Sequence, residues 1–210
     1  MKNLLLILLY LAMIIDMFFI ANQQHDYRIF TKPLLLPILI LLYHVVSKSR
    51  SNLFIYGLVF SFLGDVFLLF NWGFIPGLAS FFVAHIFYIL TFRKRIKQHI
   101  YSFIPVLALY LIGLIVFLFP YLNEMKIPVI LYGIVITTML YCAVCSQNQW
   151  LIIGALLFVC SDTLLSFNVF CDKYIWREIL VMLTYVVAQT CLVFGIKRNK
   201  KRRTKRIKQL

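Results

Sequence analysis

Carboxylates are scarce in this chain: seven Asp and Glu stand against 21 Lys and Arg, for a formal net charge of +14. Charged residues amount to 13% of 210 positions, while 63% are hydrophobic and the mean hydropathy is +0.93. That leaves too little polar surface to clothe a soluble domain and points to a multi-pass membrane protein. A basic surplus can mark a nucleic-acid binder. Here the cations lie in short loops and at the C-terminus, so membrane orientation accounts for them and no nucleic-acid partner is expected. Cysteine occurs five times, an odd number without the paired spacing of a secreted scaffold. Cys142 and Cys145 form a CxxC inside an apolar run with no other ligand beside it. Also lacking are the Gly-x-Ser-x-Gly elbow and HExxH, which leaves serine-hydrolase and zincin readings without support.

What is present is a series of apolar runs near the ~20 residues that a membrane helix needs. Eight spans are expected, at roughly 3–21, 30–46, 53–70, 75–92, 100–119, 127–145, 150–170 and 177–196, followed by a basic tail over 197–210. The first reads as a retained span: Phe19 and Ala21 make no small-x-small cleavage site, and Asp16 interrupts the apolar region. Lys32-Pro33 opens the second and Pro128 the sixth, proline being tolerated in a first helical turn. The architecture predicted is an all-α, eight-helix membrane bundle forming a single domain over 1–196.

Charge fixes its orientation. Both termini share a side with loops 47–52, 93–99 and 146–149, and that side carries 16 of the 21 basic residues, nine of them in the tail from Lys197 to Lys208. The other side has Arg28, Lys32, Lys126, Lys173 and Arg177. Basic loops stay cytoplasmic, so both termini are expected inside, with the tail against anionic lipid.

Within the apolar runs, two stretches match without gaps: Gly57 to Phe70, with Asp65, and Gly154 to Phe167, with Asp162, at a constant offset of 97. An ionised carboxylate costs ~2.5–3.5 kcal/mol at the centre of a membrane helix even on the mildest scale, so a repeated intramembrane acid is a functional candidate. The bland reading is a pair of acids that lock helices together. Lys32-Pro33 and Ile127-Pro128, then Ala84-His85 and Ala188-Gln189, extend the pattern to two parallel repeats, 1–98 and 99–196. Sites commonly lie at the interface of such repeats.

Depth along the helices brings the polar groups together. At 1.5 Å per residue, Asp65 lies ~8 Å and Asp162 ~12 Å below the outer boundary, with His85 at ~15 Å, Tyr185 at ~12 Å and Gln189 at ~18 Å. Lys32 sits at the outer mouth, able to snorkel or to reach a carboxylate. Gly57, Ser61, Gly64 and Asp65 share one helical face. Gly154, Ser161, Asp162 and Ser166 share another, as do Gly77, Ala84, His85 and Tyr88, and then Tyr185, Ala188 and Gln189. Small residues let helices approach, so these faces are expected to point inward. Asp16 has no repeat mate and is a weaker candidate.

At these positions the sequence resembles the YhhN family of membrane proteins. The matching pieces are Lys32-Pro33-Leu34, Gly57 to Phe70, Phe81 to Phe92 with His85 and Tyr88, Gly154 to Phe170 with Ser161-Asp162, and Tyr185 to Gln189. Characterised members are lysoplasmalogenases, so the resemblance implies an eight-helix hydrolase that cleaves the vinyl ether bond of lysoplasmalogen to a fatty aldehyde and a glycerophospho-head group. Protonation of the outer alkene carbon gives an oxocarbenium ion, to which water adds. The task is like glycoside cleavage, in which one carboxylic acid gives a proton and one carboxylate handles water or positive charge. Two neighbouring carboxylates cannot easily both ionise, so Asp65 and Asp162 form a natural acid and anion pair. His85 is a further catalytic candidate, and Lys32, Tyr88, Ser161, Tyr185 and Gln189 are substrate-binding candidates. No cofactor or metal is implied. A proton-coupled transporter and a non-catalytic lipid-binding protein would use the same buried acids.

From the charge split we predict that both termini are cytoplasmic. A C-terminal reporter active only outside the cytoplasm should stay silent; a positive signal would overturn both the topology and the depths.

Overall fold

The computed structural model describes residues 1–197; the expected basic tail lies outside them except for Lys197. Eight long helices follow one another: α1 (Lys2–Ala21), α2 (Arg28–Val46), α3 (Asn52–Phe67), α4 (Phe74–Arg93), α5 (Ile104–Leu118), α6 (Lys126–Cys145), α7 (Gln149–Phe170) and α8 (Ile175–Ile196). Single 3-10 turns precede α2 and α5 and lie between α5 and α6, and no strand occurs among the described residues. Seven of the helices are long and apolar enough to cross a membrane, and the chain is an all-α, multi-pass membrane bundle.

Two expected boundaries move. α3 ends at Phe67, three residues early, and its 16 residues reach only ~24 Å against a ~30 Å hydrocarbon core. Leu68, Leu69 and Phe70 are apolar yet form tight turns instead. The amide of Gly73 donates to Phe70 O at 2.9 Å, and a Cβ at Gly73 would sit 1.8 Å from the Phe67 carbonyl oxygen. Only glycine fits there. Asp65 is therefore one turn closer to its helix end than residue counting implied. α2, in turn, begins at Arg28, so Pro33 and Pro37 lie inside the helix instead of opening it. Proline lacks an N–H, so each removes one i→i−4 bond; their four-residue spacing places both interruptions on one side.

Consecutive helices pair as antiparallel hairpins, with α3 on α4 and α7 on α8 the most intimate. Between the halves, α4 packs on α6 and α8 packs on α2. This reciprocal exchange is consistent with a two-fold relation between 1–98 and 99–196. The matched glycines have matched tasks. A Cβ at Gly57 would meet the Tyr88 ring at 2.4 Å, and one at Gly154 would meet Leu192 at 2.7 Å and the Ala188 carbonyl at 3.0 Å. The outer helices differ: α1 packs on α2 and α8, whereas α5 lies at the edge with only Leu107 and Leu118 buried. α8 is the most enclosed helix, 61% of its apolar window being buried.

We predict opposite responses at two glycines. Gly57→Ala should lose ~1–3 kcal/mol, because Tyr88 must move to admit the methyl group. Gly113→Ala, with nothing within 4 Å of its Cβ, should gain up to ~1 kcal/mol from helix propensity. Thermal unfolding of the two variants in detergent checks this; a Gly57→Ala variant that melts at or above the parent temperature would show that α3 and α4 are not in close contact there.

Candidate active site

Asp65 is the most enclosed acid of the repeated pair, 3% exposed. Tyr185 of α8 donates its hydroxyl to Asp65 Oδ2 at 2.7 Å, and Lys32 Nζ of α2 lies 3.8 Å from Oδ1. The sequence-predicted trio of Lys32, Asp65 and Tyr185 is thus a contact set drawn from both halves. Lys32 is itself buried, so its ammonium reaches inward to the carboxylate.

Asp162 has different surroundings. Tyr132 of α6 donates to Asp162 Oδ2, and no cation is given to Asp162 among the described residues. The carboxyl is half-buried because it faces a cavity of about 50 Å³, with Leu68, Phe74, Phe81 and Leu165 among its apolar walls. Leu78 and Tyr132 line both this cavity and a wholly apolar-walled groove of about 390 Å³ between α4 and α6. In each half, then, the helix before the aspartate helix supplies a donor: Lys32 to Asp65, Tyr132 to Asp162.

The two carboxylates share no hydrogen bond. A panel of rings joins their partners. Tyr185 meets Phe158 edge-on at 5.4 Å, Phe158 meets His85 at 4.7 Å, and His85 meets Tyr132 at 5.4 Å. His85 is fully buried, with Nδ1 2.6 Å from the Phe81 carbonyl oxygen. A carbonyl only accepts, so Nδ1 carries the proton and the neutral ring presents Nε2 as a bare acceptor. That atom is buried without a hydrogen-bond partner, and so is Gln189 Nε2.

The remaining predicted residues lie deeper or elsewhere. Tyr88 donates to Gln189 Oε1 at 3.0 Å and shares a 3.2 Å hydrogen bond with Ser61. Ser161 is buried and donates to the Val181 carbonyl at 3.1 Å, joining α7 to α8. Cys142 and Cys145 are free thiols on α6, and no three His, Cys, Asp or Glu side chains converge among the described residues.

Asp16 belongs to a second polar cluster. It is fully buried, receives Arg28 Nη2 at 3.2 Å and Nε at 3.4 Å, and accepts from Thr31 Oγ1 at 2.7 Å. Arg28 Nη1 also binds Glu178 at the start of α8. Lys32 lies one turn along α2 from Arg28, so a charged chain runs Glu178, Arg28, Asp16 and then Lys32, Asp65. Sequence reasoning missed Arg28, Thr31, Glu178 and Tyr132 as site residues, and placed Ser61 on the inward face without its partner Tyr88. Depth held the signal for one of them: Tyr132, six residues into α6, is ~9 Å below the same boundary as Asp162.

Removing one partner of a buried ion pair typically costs ~3–5 kcal/mol, since the other charge is stranded. Arg28→Ala should therefore unfold at lower temperature, and adding Asp16→Asn should recover part of that loss. If Arg28→Ala melts with the parent protein, the cluster does not hold α1 to α2.

Comparison with known proteins bears on the same region. The sequence model of the YhhN family matches residues 27–196. Lysoplasmalogenase TMEM86B of Homo sapiens is 30% identical over 163 residues, covering 73% of this chain and 67% of the human protein. The Mus musculus protein of that name is 30% identical over 169 residues, covering 79% of this chain and 73% of its own, and the Sus scrofa protein 28% over 147 residues, covering 69% and 63%. No solved structure matches. The matched segment spans α2 to α8 and includes both repeated aspartates, their tyrosines, His85 and Lys32, and on that basis the chain belongs to the YhhN family.

Proposed function

We propose that this protein is a lysoplasmalogenase that cleaves the vinyl ether bond within the bundle, with Asp162 as general acid and Asp65 as the fixed anion. The observation that carries the reading is the unequal setting of two equivalent carboxyls. Asp65 has a lysine and a tyrosine, a setting that keeps a negative charge in place. Asp162 has one tyrosine and faces an apolar cavity, a setting suited to a carboxyl that holds and delivers a proton. Pairs of carboxyls with contrasting surroundings recur where acid and anion roles divide.

The steps follow from these groups. Asp162 transfers its proton to the outer alkene carbon, and the adjacent carbon becomes an oxocarbenium carbon stabilised by the Asp65 charge. Water adds to that carbon and gives up a proton to a nearby acceptor. His85 Nε2 is the unpartnered acceptor on the ring panel and takes this role. The hemiacetal then collapses, its hydroxyl proton passing to the leaving glycerol oxygen, and the proton held on His85 returns to Asp162, so that one water is consumed and aldehyde and alcohol are released. Tyr132 and Tyr185 hold the two carboxyls in orientation.

The substrate's shape fits this placement. In a lysophospholipid the vinyl ether lies next to the glycerol, close to the head group. The phosphate lies toward the end of α2 that carries Lys32 and Arg28, both engaged with carboxylates inside the bundle, and the alkenyl chain follows the α4–α6 groove past Leu78. Tyr185, Tyr88 and Gln189 form the inner wall, with Ser161 fixing α7 against α8. The 50 Å³ cavity holds only a few waters, so the chain requires α4 and α6 to part slightly. A transporter would need a path to the opposite face. Here the linked polar side chains of the site end at Tyr88, whose ring joins the fully buried Phe54, Phe92 and, through Phe54, Tyr43. That favours the hydrolase. The charge distribution supports a site on the outer side and both termini in the cytoplasm.

Asp65→Asn and Asp162→Asn should each keep the fold and lower turnover of lysoplasmalogen by ~10²-fold or more, the usual range for lost acid–base catalysis. Aldehyde release by the purified variants measures this. Parent rates in both would make the carboxyls structural and the mechanism wrong.

A further inference from the structure

The face of the bundle that carries Lys2, Lys48, Arg50, Arg93, Lys94, Arg95, Lys97 and Lys197 has no acidic side chain among the described residues. Asp16, Asp65 and Asp162 are inside helices, and Asp26, Glu124, Asp172 and Glu178 lie at the other end of the bundle. Residues 198–210 add no acid by sequence. Lys94 and Lys97 therefore have no acidic side chain of the same face to pair with.

Part of that face is a formed cleft. The α4–α5 and α6–α7 connections enclose about 610 Å³, with Lys94, Arg95 and Lys97 on one wall and Gln147, Asn148 and Trp150 on the other. Both walls are pinned. The Lys97 amide donates to the Cys145 carbonyl at 3.0 Å. Arg95 donates to the carbonyls of Gly195 at 3.2 Å and Ile196 at 2.6 Å, and Asn148 Nδ2 donates to Gly195 O at 3.0 Å. The end of α8 thus joins both walls, through Arg95 on one side and Asn148 on the other. Lys94 and Lys97 are exposed at the rim. Trp150, 52% exposed at the start of α7, has the amphipathic ring that settles at head-group level.

We propose that this cleft binds the phosphate head group of an anionic phospholipid of the adjoining leaflet. A phosphodiester supplies the missing counter-charge, and lysine ammonium groups are point-charge partners for it. The side-chain amides of Gln147 and Asn148 offer hydrogen bonds to head-group hydroxyls. Basic pockets beside membrane helices on the positively charged face suit such head groups. The site is at the opposite end of the bundle from the carboxylates and is independent of the hydrolase reading.

The test is native mass spectrometry of the detergent-solubilised, full-length protein with equal phosphatidylglycerol and phosphatidylcholine of the same chains. The parent should retain phosphatidylglycerol preferentially. Lys94→Gln with Lys97→Gln should lower that retention at least about fivefold, one near-surface lysine alone being worth about that factor, without changing phosphatidylcholine retention. Lys94→Arg with Lys97→Arg should restore it, and a chain whose eight tail cations from Arg198 to Lys208 are neutralised should keep it. The proposal is overturned if the glutamine pair retains the lipid like the parent. It is equally overturned if neutralising the tail alone abolishes retention, or if millimolar glycerol 1-phosphate displaces the lipid, which would identify a soluble phosphate ester as the ligand.

Discussion

A carboxylate inside a bilayer must find its donors on other helices, and three such acids set the packing of this bundle. Asp16 of α1 is held by Arg28 and Thr31 of α2. Asp65 of α3 is held by Lys32 of α2 and Tyr185 of α8, and Asp162 of α7 by Tyr132 of α6. Lipid offers no substitute donor, so any rotation of these helices that broke the bonds would strand a charged or polar group at several kcal/mol. α2 answers two of the three acids, and α8 joins both clusters through Tyr185 and Glu178. Their central place follows from that demand. The glycines then serve the arrangement: Gly57 admits Tyr88, and Gly154 brings α7 onto α8.

The matched stretches of the two halves share an aspartate but not an environment. The position at the aspartate is identical, and in each half the preceding helix faces it. What that helix supplies differs, an ammonium at 3.8 Å in one half and a phenol in the other. The outer helices differ in parallel: α1 is bound into the first half by an ion pair, while α5 has no charged side chain and stays at the edge. A duplicated acid in unequal surroundings is a direct route to acid and anion roles from one residue type.

How far the sequence revealed this depends on what kind of physics was involved. Span number and order were legible because hydropathy is averaged over ~20 residues, and single errors wash out. The paired aspartates were legible because Gly57, Asp65 and their partners repeat without a gap. The end of α3 was not, since Leu68, Leu69 and Phe70 are apolar and only the backbone crowding at Gly73 stops the helix. Tyr132 was hidden among 12 tyrosines, because a helix with no polar neighbour near that position gives no sign of its rotation. Arg28 and Glu178 read as ordinary boundary charges, and their pairing across 150 residues is a tertiary fact. Ser161 carried the signal of a polar face yet joins α7 to α8 through the Val181 carbonyl. A helical face shows which residues turn inward, not what each one meets.

The closed inner half has a consequence for the proposed chemistry. An amphiphilic substrate and its products can all exchange on one side: the head group and the glycerol alcohol at the charged outer end, the aldehyde chain sideways through the α4–α6 groove into lipid. Nothing needs to pass the buried Tyr43, Phe54, Tyr88 and Phe92. Those rings also separate Asp65 and Asp162 from the cations of the opposite face, of which Lys2, Lys48, Arg50, Arg93, Lys94, Lys97 and Lys197 are exposed and screened over ~10 Å. Acid groups at one end and cations at the other therefore act as separate systems within one bundle. The first is built from buried, individually partnered groups whose geometry is fixed. The second is surface charge at Lys94, Lys97 and their exposed neighbours, set apart from any acidic side chain.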